Sequence, residues 1–378
     1  MTGNMIETVD LTFYYGGNEK PSLDKVSIKI RKGVKTVILG ANGAGKSTLF
    51  YHFNGVFKPG DGEVIVDGEP ISYRKKALRQ LRSRVSVVLQ NPDDQIFEQT
   101  VEEDVAFGPR NLKLPEEEVA RRVEAALDLV GLSDMRDRNT LQLSYGQRKR
   151  LALAGAIAMR PEILIMDEPT AGLDPQMSLE LMELMDQLHH MGTDIVISTH
   201  DVDLAYSWAD DIHVLRKGLL VFSGRSEDFY SNPDEVYLSG VMQPSMFVIN
   251  QTLSGMTGKP VEPYPRTETQ LISKMSDGPK GTLHILPVGD RLDQDLIDDA
   301  IGRSNASCIG VFGTTSRKLL YESGLYAEYV FNAFESCMTQ CLLGKDSLLA
   351  VDRPLVDLIE SKIADLRRFS PDIQYDIL

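Results

Sequence analysis

One segment of the chain fits the phosphate-binding pattern G-x-x-x-x-G-K-[ST]; it consists of Gly40, Ala41, Asn42, Gly43, Ala44, Gly45, Lys46, Ser47 and Thr48. The apolar residues 37–39 precede it, which gives the order of strand, loop and helix that such a loop requires. Glycines permit positive φ angles and leave room for a backbone that wraps a triphosphate. We expect Lys46 to reach the β and γ phosphates and the Ser47 hydroxyl to bind Mg²⁺. Taken alone, the pattern predicts a nucleotide phosphate site.

The composition is typical of a globular chain of about two domains, because 42% of its 378 residues are hydrophobic and 25% are charged. No apolar run approaches the roughly 18 to 20 residues of a spanning helix, and residues 1–7 lack the basic and then apolar pattern of a secretory signal. We therefore expect no direct membrane insertion.

The charge and the cysteines exclude further classes. A formal net charge of −15 argues against a nucleic-acid binder, and against a lipid-surface binder that works through cationic patches. Cys308, Cys337 and Cys341 imply no disulfide framework. A reduced cytoplasmic compartment fits them best.

Polar residues follow several predicted strands. The apolar run 163–166 predicts a strand that is buried on both faces, and Asp167 and Glu168 lie at its carboxyl end, where parallel sheets bind ligands. We expect Asp167 to hold Mg²⁺ and Glu168 to polarise the attacking water. Gln90 follows a predicted strand at 85–89 and could bind the metal or position water. His200 follows another strand, although a lone histidine there is more often structural.

Three further features fit a nucleotide site less specifically. Tyr15 ends a predicted strand before the turn Gly16-Gly17-Asn18 and could stack on adenine, although ordinary packing is the commoner role of such an aromatic residue. A predicted helix begins with an anion-binding arrangement of a hydroxyl, a glycine and free N–H groups, in Ser144, Tyr145, Gly146 and Gln147; a plain serine N-cap is the simpler interpretation. A turn at Asp174 precedes a long amphipathic helix.

In this order the motifs resemble those of the ATP-binding subunit of an ABC transporter, over about residues 5–235. The resemblance implies a P-loop cassette with a RecA-like core and with antiparallel β and helical subdomains. It implies the adenine-stacking aromatic (Tyr15), the Walker A loop (40–48), the Q-loop (Gln90), the signature (143–147), Walker B (163–168, with catalytic Glu168), the D-loop (Asp174) and the switch histidine (His200). Tyr145 departs from the family's usual glycine. Because Ser144 and Gly146 are retained, we expect function to survive.

Within that family, residues 90–97 and 101–109 are similar to the ATPases of cobalt/nickel-type and energy-coupling factor importers. The resemblance implies ATP as the nucleotide and Mg²⁺ held by Ser47, Gln90 and Asp167. It also implies a head-to-tail dimer, in which each ATP lies between the Walker A loop of one ATPase and the Ser144 helix start of the other. The second ATPase is a copy of this chain or a paralogue, and the membrane spans belong to other subunits.

These implications place the chain at the cytoplasmic face of the cell membrane as a peripheral subunit. An alternative is a soluble ABC-type ATPase that acts as a mechanochemical clamp without transport. Such clamps carry long coiled-coil insertions or two cassettes in one chain, whereas this sequence has one cassette and a short stretch between Gln90 and Ser144. The importer is therefore the favoured function.

The remaining residues predict a second domain. We expect the ATPase domain over 1–240, a helical and proline-rich connection over 241–275, and over 276–378 a small parallel α/β domain that regulates or dimerises. Residues 313–317 follow a strand and could bind an anion, although a polar connection is the default. Cys337 and Cys341 could bind a metal, but their shared helix face favours core packing.

Overall fold

The fold is that of a computed structural model, which describes residues 3–17 and 19–378. Met1, Thr2 and Asn18, the last residue of the predicted turn, lie outside the described residues. The chain forms two compact units, one of residues up to 181 together with 191–244, and one of residues 182–190 together with 245–378. The boundaries 240/241 and 275/276 stay a prediction.

The strands of the first unit form two sheets. They are β1 (Asn4–Phe13), β2 (Leu23–Val26), β3 (Lys29–Arg31), β4 (Thr36–Leu39), β5 (Asp61–Val66), β6 (Glu69–Pro70), β7 (Val85–Val88), β8 (Ile163–Asp167), β9 (Asp194–Thr199), β10 (Asp211–Arg216) and β11 (Leu219–Arg225). The first sheet is antiparallel, has the order β2-β1-β5-β6, and includes β3 beside β1. The second has the order β11-β10-β4-β9-β8-β7 and is parallel apart from β11.

The central strands of the second sheet are buried along their whole length. Every residue of β4, β8 and β9 is buried. Strands covered on both faces need continuous apolar runs instead of alternation, as predicted for 163–166. Since the strands are parallel, the loops after β4, β7, β8 and β9 meet at one edge.

Several of the helices that begin in the first unit start or end at residues typical of helix caps. The helices that begin there are α1 (Lys46–Phe53), α2 (Lys75–Arg84), α3 (Val101–Asn111), α4 (Glu116–Val130), α5 (Tyr145–Ala158), α6 (Pro175–His190), α7 (Val202–Trp208), α8 (Ser226–Tyr230) and α9 (Pro233–Ser239). Thr100 caps α3, and Gly131 ends α4 in the left-handed conformation. Helices α3, α4 and α5 pack against one another between β7 and β8 in the chain.

The second unit contains α10 (Ser245–Thr257), α11 (Glu268–Met275), β12 (Thr282–Val288), α12 (Gln294–Ser304), β13 (Ile309–Phe312), α13 (Thr314–Glu322), α14 (Ala333–Leu342), β14 (Ser347–Asp352), α15 (Val356–Arg367) and β15 (Gln374–Ile377). Its sheet is parallel and has the order β13-β14-β12-β15. Helices α12 and α13 cover one face and α14 and α15 cover the other, which gives two cores. The second unit is a doubly wound α/β fold.

The second unit also holds the last nine residues of α6. The Arg317 guanidinium lies 2.5 Å from the Glu183 carboxylate, and the Lys362 ammonium lies 2.9 Å from the Asp186 carboxylate. Each carboxylate is largely buried, so each needs its cation to offset the loss of hydration.

One expectation for the second unit differs from the structure. Residues 314–317 begin α13 instead of forming a polar connection. Helix α14 begins only at Ala333, because Tyr329 before it pairs with Gly310 of β13. Strand β15 was not predicted. Cys337 and Cys341 lie in the core that α14 helps to form, as the packing interpretation predicted.

Residues 3–17 and 19–378 lack two kinds of feature. None of their helices combines the length and apolar character needed to span a bilayer. Within this described part of the chain, no group of three or more His, Cys, Asp or Glu side chains could hold a metal ion.

Candidate nucleotide-binding site

The loop between β4 and α1 depends on glycines at close approaches. A Cβ atom at Gly40 would lie 2.4 Å from the carbonyl oxygen of Leu215, and one at Gly45 would lie 2.8 Å from that of Ser22. Gly45 also has φ 109°, a conformation that disfavours side chains. The loop Gly40–Thr48 therefore has a backbone shape that other residues cannot adopt without strain.

Lys46 is buried at the start of α1. Its Nζ atom donates to the carbonyl oxygens of Gly40 (2.6 Å) and Ala41 (3.3 Å), and lies 3.0 Å from Oε1 of Glu168. A lysine ammonium is a compact charge with rotatable donors, so it can change partners with little movement.

Two carboxylates and a histidine follow the neighbouring strands β8 and β9. The Ser198 hydroxyl accepts a hydrogen bond from the Glu168 amide at 3.0 Å and donates one to the Asp167 carboxylate. His200 Nδ1 lies 3.0 Å from Oε2 of Glu168. Glu168 has φ 46°, in the left-handed region. Ser198 thus fixes both acids at the sheet edge, and Lys46 and His200 contact opposite oxygens of Glu168.

Tyr15 lies beside the start of α1. Its hydroxyl is 3.1 Å from Oγ1 of Thr48, and its ring packs edge-on against Phe13 and Phe57. The side chain remains 39% exposed. One aromatic surface is therefore held next to the phosphate-binding loop and in contact with solvent.

The predicted metal ligands lie in or beside three of the segments that meet at this edge. Ser47 is half-buried in α1, Asp167 is buried at the end of β8, and Gln90 is exposed after β7. The loop of Gln90 is anchored by Gln95, whose side chain accepts from the Leu89 amide (3.0 Å) and donates to the Ala152 carbonyl (3.2 Å).

The predicted signature is a capped helix start. Ser144 Oγ accepts from the Gln147 amide at 3.3 Å, and the Gln147 side chain accepts from the Ser144 amide at 2.9 Å, which is a capping box. Tyr145 lies against Gly172, where a Cβ atom would come within 2.8 Å of its ring. Asp174 accepts from the Met177 amide at 2.8 Å and caps α6.

Sequence reasoning missed Gln95, Ser198 and Lys149 at this site. Lys149 is buried, although it lies in the basic run 148–150, and its ammonium reaches the backbone that follows β8. A signal was present for Ser198, because it interrupts the apolar strand β9 opposite Asp167. For Gln95 and Lys149, burial depends on how the loops fold.

Comparison with known proteins decides the family. The model of the ABC transporter family matches residues 23–171. An energy-coupling factor transporter ATP-binding protein, EcfA2 of Methanospirillum hungatei, is 36% identical over 370 residues, which cover 95% of this chain and 92% of that protein. The chain belongs to the ABC transporter family. Within that family its relatives include the ATP-binding proteins of energy-coupling factor transporters, as the sequence predicted.

Solved ABC cassettes agree with the fold. The structure is similar to cbiO1 of Clostridium perfringens, described as part of the transporter complex cbiONQ, with a TM-score of 0.56, 38% identity, and coverage of 62% of this chain and 95% of that one. A dimeric cassette bound to ADP and phosphate gives a TM-score of 0.54 at 27% identity, with coverage of 59% and 99%.

The predicted fold class is thereby confirmed: an ABC cassette followed by a further carboxy-terminal region. This ABC protein binds ATP and couples its hydrolysis to transport as the subunit that energises an importer.

Proposed function

We propose that the importer moves a cobalt or nickel ion or a vitamin, and that this chain acts from the cytoplasmic face of the membrane, bound to integral membrane subunits. Support comes from the similarity to cbiO1, which is part of a cbiONQ complex, and to an energy-coupling factor transporter protein. Because selectivity resides in subunits other than the ATPase, purification of the chain from native membranes tests the proposal. Recovery without any integral membrane protein would contradict it.

Site roles follow from the geometry at the sheet edge. ATP lies with its adenine on Tyr15 and its β and γ phosphates on the loop Gly40–Thr48. Lys46 then exchanges its contact with Glu168 for phosphate oxygens, since one ammonium cannot hold both closely. Glu168 is released and keeps its contact with His200, which is 3.0 Å away.

Glu168 then acts as the general base. The oxygen of a water molecule attacks the γ phosphorus, the bond from that phosphorus to the β–γ bridging oxygen breaks, and the water proton passes to the Glu168 carboxylate. The products are ADP and inorganic phosphate. The observation that carries this role is the carboxylate itself, which is buried at the strand end between Lys46 and His200.

Mg²⁺ is the proposed metal cofactor, and the donor set fits it. Ser47, Gln90 and Asp167 offer a hydroxyl, an amide carbonyl and a carboxylate, and Mg²⁺ prefers such oxygen ligands. When bound, the ion neutralises charge on the phosphates. Asp167 is already oriented by the Ser198 hydroxyl.

Glu168→Gln tests the base. The variant should bind ATP normally but lose hydrolysis by about 10²-fold or more, because an amide cannot accept the proton. Turnover and nucleotide affinity are measured separately. Turnover near the wild-type rate would show that a group other than Glu168 is the general base.

The active form is proposed to be a head-to-tail dimer with a copy or a paralogue. Helix α5 starts with N–H groups that suit a phosphate, at residues Ser144, Tyr145, Gly146 and Gln147. Asp174 lies on the turn that precedes α6. A dimeric cassette structure bound to ADP and phosphate supports the arrangement. Sedimentation of Glu168→Gln should show dimers with ATP and monomers without it. Equal mass in both conditions would contradict ATP-dependent self-association.

For residues 276–378 we propose a regulatory or dimerising role. They belong to a unit with its own two cores. The proposed role is tested by comparing the basal ATPase rate of the full-length chain with that of a chain ending near Gly258. Because the shortened chain loses the partners of Glu183 and Asp186, its stability is measured alongside.

A further inference from the structure

Lys149 lies in the second turn of α5, and its side chain is directed at one backbone turn. Its Nζ atom donates to the carbonyl oxygens of Glu168 (3.0 Å), Pro169 (2.8 Å) and Ala171 (2.8 Å). A lysine ammonium has three N–H donors. All three are therefore used by the segment that follows β8, and the residue is only 7% exposed.

This turn carries the proposed base in a strained conformation. Glu168 has φ 46°, and a non-glycine residue in that region needs surrounding contacts to hold it there. Its amide donates to Ser198 and its carbonyl accepts from Lys149. Since both peptide groups of Glu168 are fixed, the direction of its Cα–Cβ bond is fixed as well.

Three carbonyl oxygens that converge on one point would repel one another without a cation between them. Burial lowers the pKa of Lys149 to about 8, and the carboxylates of Glu168 and Asp167 oppose that shift. The amine therefore remains largely protonated at neutral pH and supplies all three donors.

Lys149 also belongs to the helix that begins at Ser144. Ser144 and Lys149 are separated by about 1.4 helical turns of the same helix, so a displacement of the helix start moves Lys149. The Tyr145 ring adds a second connection, because it lies 5.9 Å from the Lys149 ammonium and packs against Gly172. The helix start and the turn that carries Glu168 are thus joined at two points.

We propose that Lys149 is a positioning residue for ATP hydrolysis: it holds the Glu168–Ala171 turn so that the Glu168 carboxylate faces the reacting water, and it ties that turn to the Ser144 helix start. The inference rests on the proposed role of Glu168. Lys149 touches neither nucleotide nor metal in this role, so it affects turnover and leaves ATP binding to Lys46 and its loop.

Lys149→Met tests this, because methionine keeps an unbranched chain and removes the donors. We expect kcat to fall about tenfold to 10²-fold, with KM and ATP affinity unchanged within about twofold. Lys149→Arg should recover part of kcat, because it restores charge and donors. Lys76→Met, at an exposed position of α2, is the matched control and should equal wild type.

Thermal unfolding of each variant shows that it is folded at the assay temperature; if Lys149→Met is not, Lys149→Arg and Lys149→Gln are compared instead. A folded variant without the ammonium that keeps kcat within about twofold of wild type would overturn the proposal. Equal losses of kcat and ATP affinity would also overturn it, because they indicate a general structural role.

A double variant separates this proposal from the role of Glu168. If Lys149 acts through Glu168, Lys149→Met should add less than about twofold to the loss caused by Glu168→Gln. If the losses of turnover caused by the two substitutions multiply in the double variant, Lys149 does not act through Glu168. That result would overturn the positioning role of Lys149 and leave the role of Glu168 intact. If Glu168→Gln itself turns over ATP at the wild-type rate, the proposed base and the role of Lys149 both fail.

Discussion

Two helices of this chain start in nearly the same way. Helix α1 follows β4 and α13 follows β13, and each begins after a glycine, Gly45 with φ 109° and Gly313 with φ 107°. Each also has a cation in its first turns that contacts a buried glutamate: Lys46 is 3.0 Å from Glu168, and Arg317 is 2.5 Å from Glu183.

The two helix starts differ in what the acids at nearby strand ends contact. At α13 the carboxylate of Asp352, which ends β14, accepts from the amides of Thr315 (3.0 Å) and Ser316 (2.6 Å). Near α1 the acid at the sheet edge is Asp167, which ends β8, a strand separated from β4 by β9, and it accepts from Ser198 instead. An anion of the protein itself thus occupies the start of α13. The amides of Thr315 and Ser316, which an external anion could otherwise have used, are therefore taken by Asp352.

The cations differ in a related way. Arg317 contacts both oxygens of Glu183 and donates to the Val330 carbonyl at 2.9 Å, so its rigid guanidinium holds these partners in one fixed geometry. Lys46 has two backbone carbonyls and one carboxylate as partners. We therefore expect a helix start to become a ligand site where the nearby acid is held away from it and its cation can exchange partners.

The largest effect is expected from the substitution of Lys46 at the start of α1. Lys46→Ala should lower ATP affinity by about 10²-fold to 10³-fold, since it removes the cation that faces the phosphates. Titration calorimetry measures the affinity. Lys76→Ala, at an exposed site, should bind as wild type does. An affinity within about threefold of wild type for Lys46→Ala would remove the proposed distinction between the two cations.

Arg317→Met should leave ATP affinity unchanged and destabilise the second unit by about 3 kcal/mol, because it leaves the Glu183 carboxylate buried without its cation. Hydrogen exchange of the amides in β12 and β14 measures the effect within that unit. Arg303→Met removes an exposed cation 3.6 Å from Asp299, and should cost less than about 0.5 kcal/mol. Similar exchange in both variants would show that Arg317 is not essential to the packing.

Gly313→Ala should destabilise the second unit by about 2 kcal/mol, since its φ angle disfavours a side chain. The added Cβ atom would also lie 2.3 Å from the Asp352 carboxylate carbon. Gly302→Ala is the matched control in helix α12, where a Cβ atom meets nothing within 4 Å. It should stabilise by about 0.5 to 1 kcal/mol, because alanine is the better helix former. Opposite signs for the two substitutions support the assigned backbone geometry.

The sequence predicted the cassette well because its functional loops follow long apolar strands. The pattern 163–168 indicated both the buried strand β8 and its acids, and Ser144 and Gln147 indicated the capped start of α5. It failed at α13, whose first residues, Thr314, Thr315 and Ser316, are typical of turns. The Asp352 carboxylate accepts from the amides of Thr315 and Ser316 and so favours the helix. Asp352 is 36 residues from Ser316 in the chain, so no local pattern could reveal the contact.

Charged side chains were the hardest to predict, because their partners are distant in sequence. Glu183 lies in an amphipathic helix and its partner Arg317 is 134 residues away. Lys149 belongs to a basic run, which usually indicates a solvated surface, yet it is buried against the turn after β8. In both cases burial follows from tertiary packing and not from residue type.

The smallest effect is expected from Asp352→Asn, which keeps the shape of the side chain. The amide oxygen can still accept from Ser316, but its NH₂ group then faces the Thr315 amide, and two donors oppose each other. The negative charge that favours a helix N-terminus is lost as well. We expect the stability of the second unit to fall by about 1 to 2 kcal/mol, measured by hydrogen exchange in β14 and α13, with ATP affinity unchanged.

Asp365→Asn, at an exposed position near the end of α15, should change stability by less than about 0.5 kcal/mol. If Asp352→Asn is equally neutral, the donors of α13 do not depend on this carboxylate, and the difference between the two helix starts needs another cause.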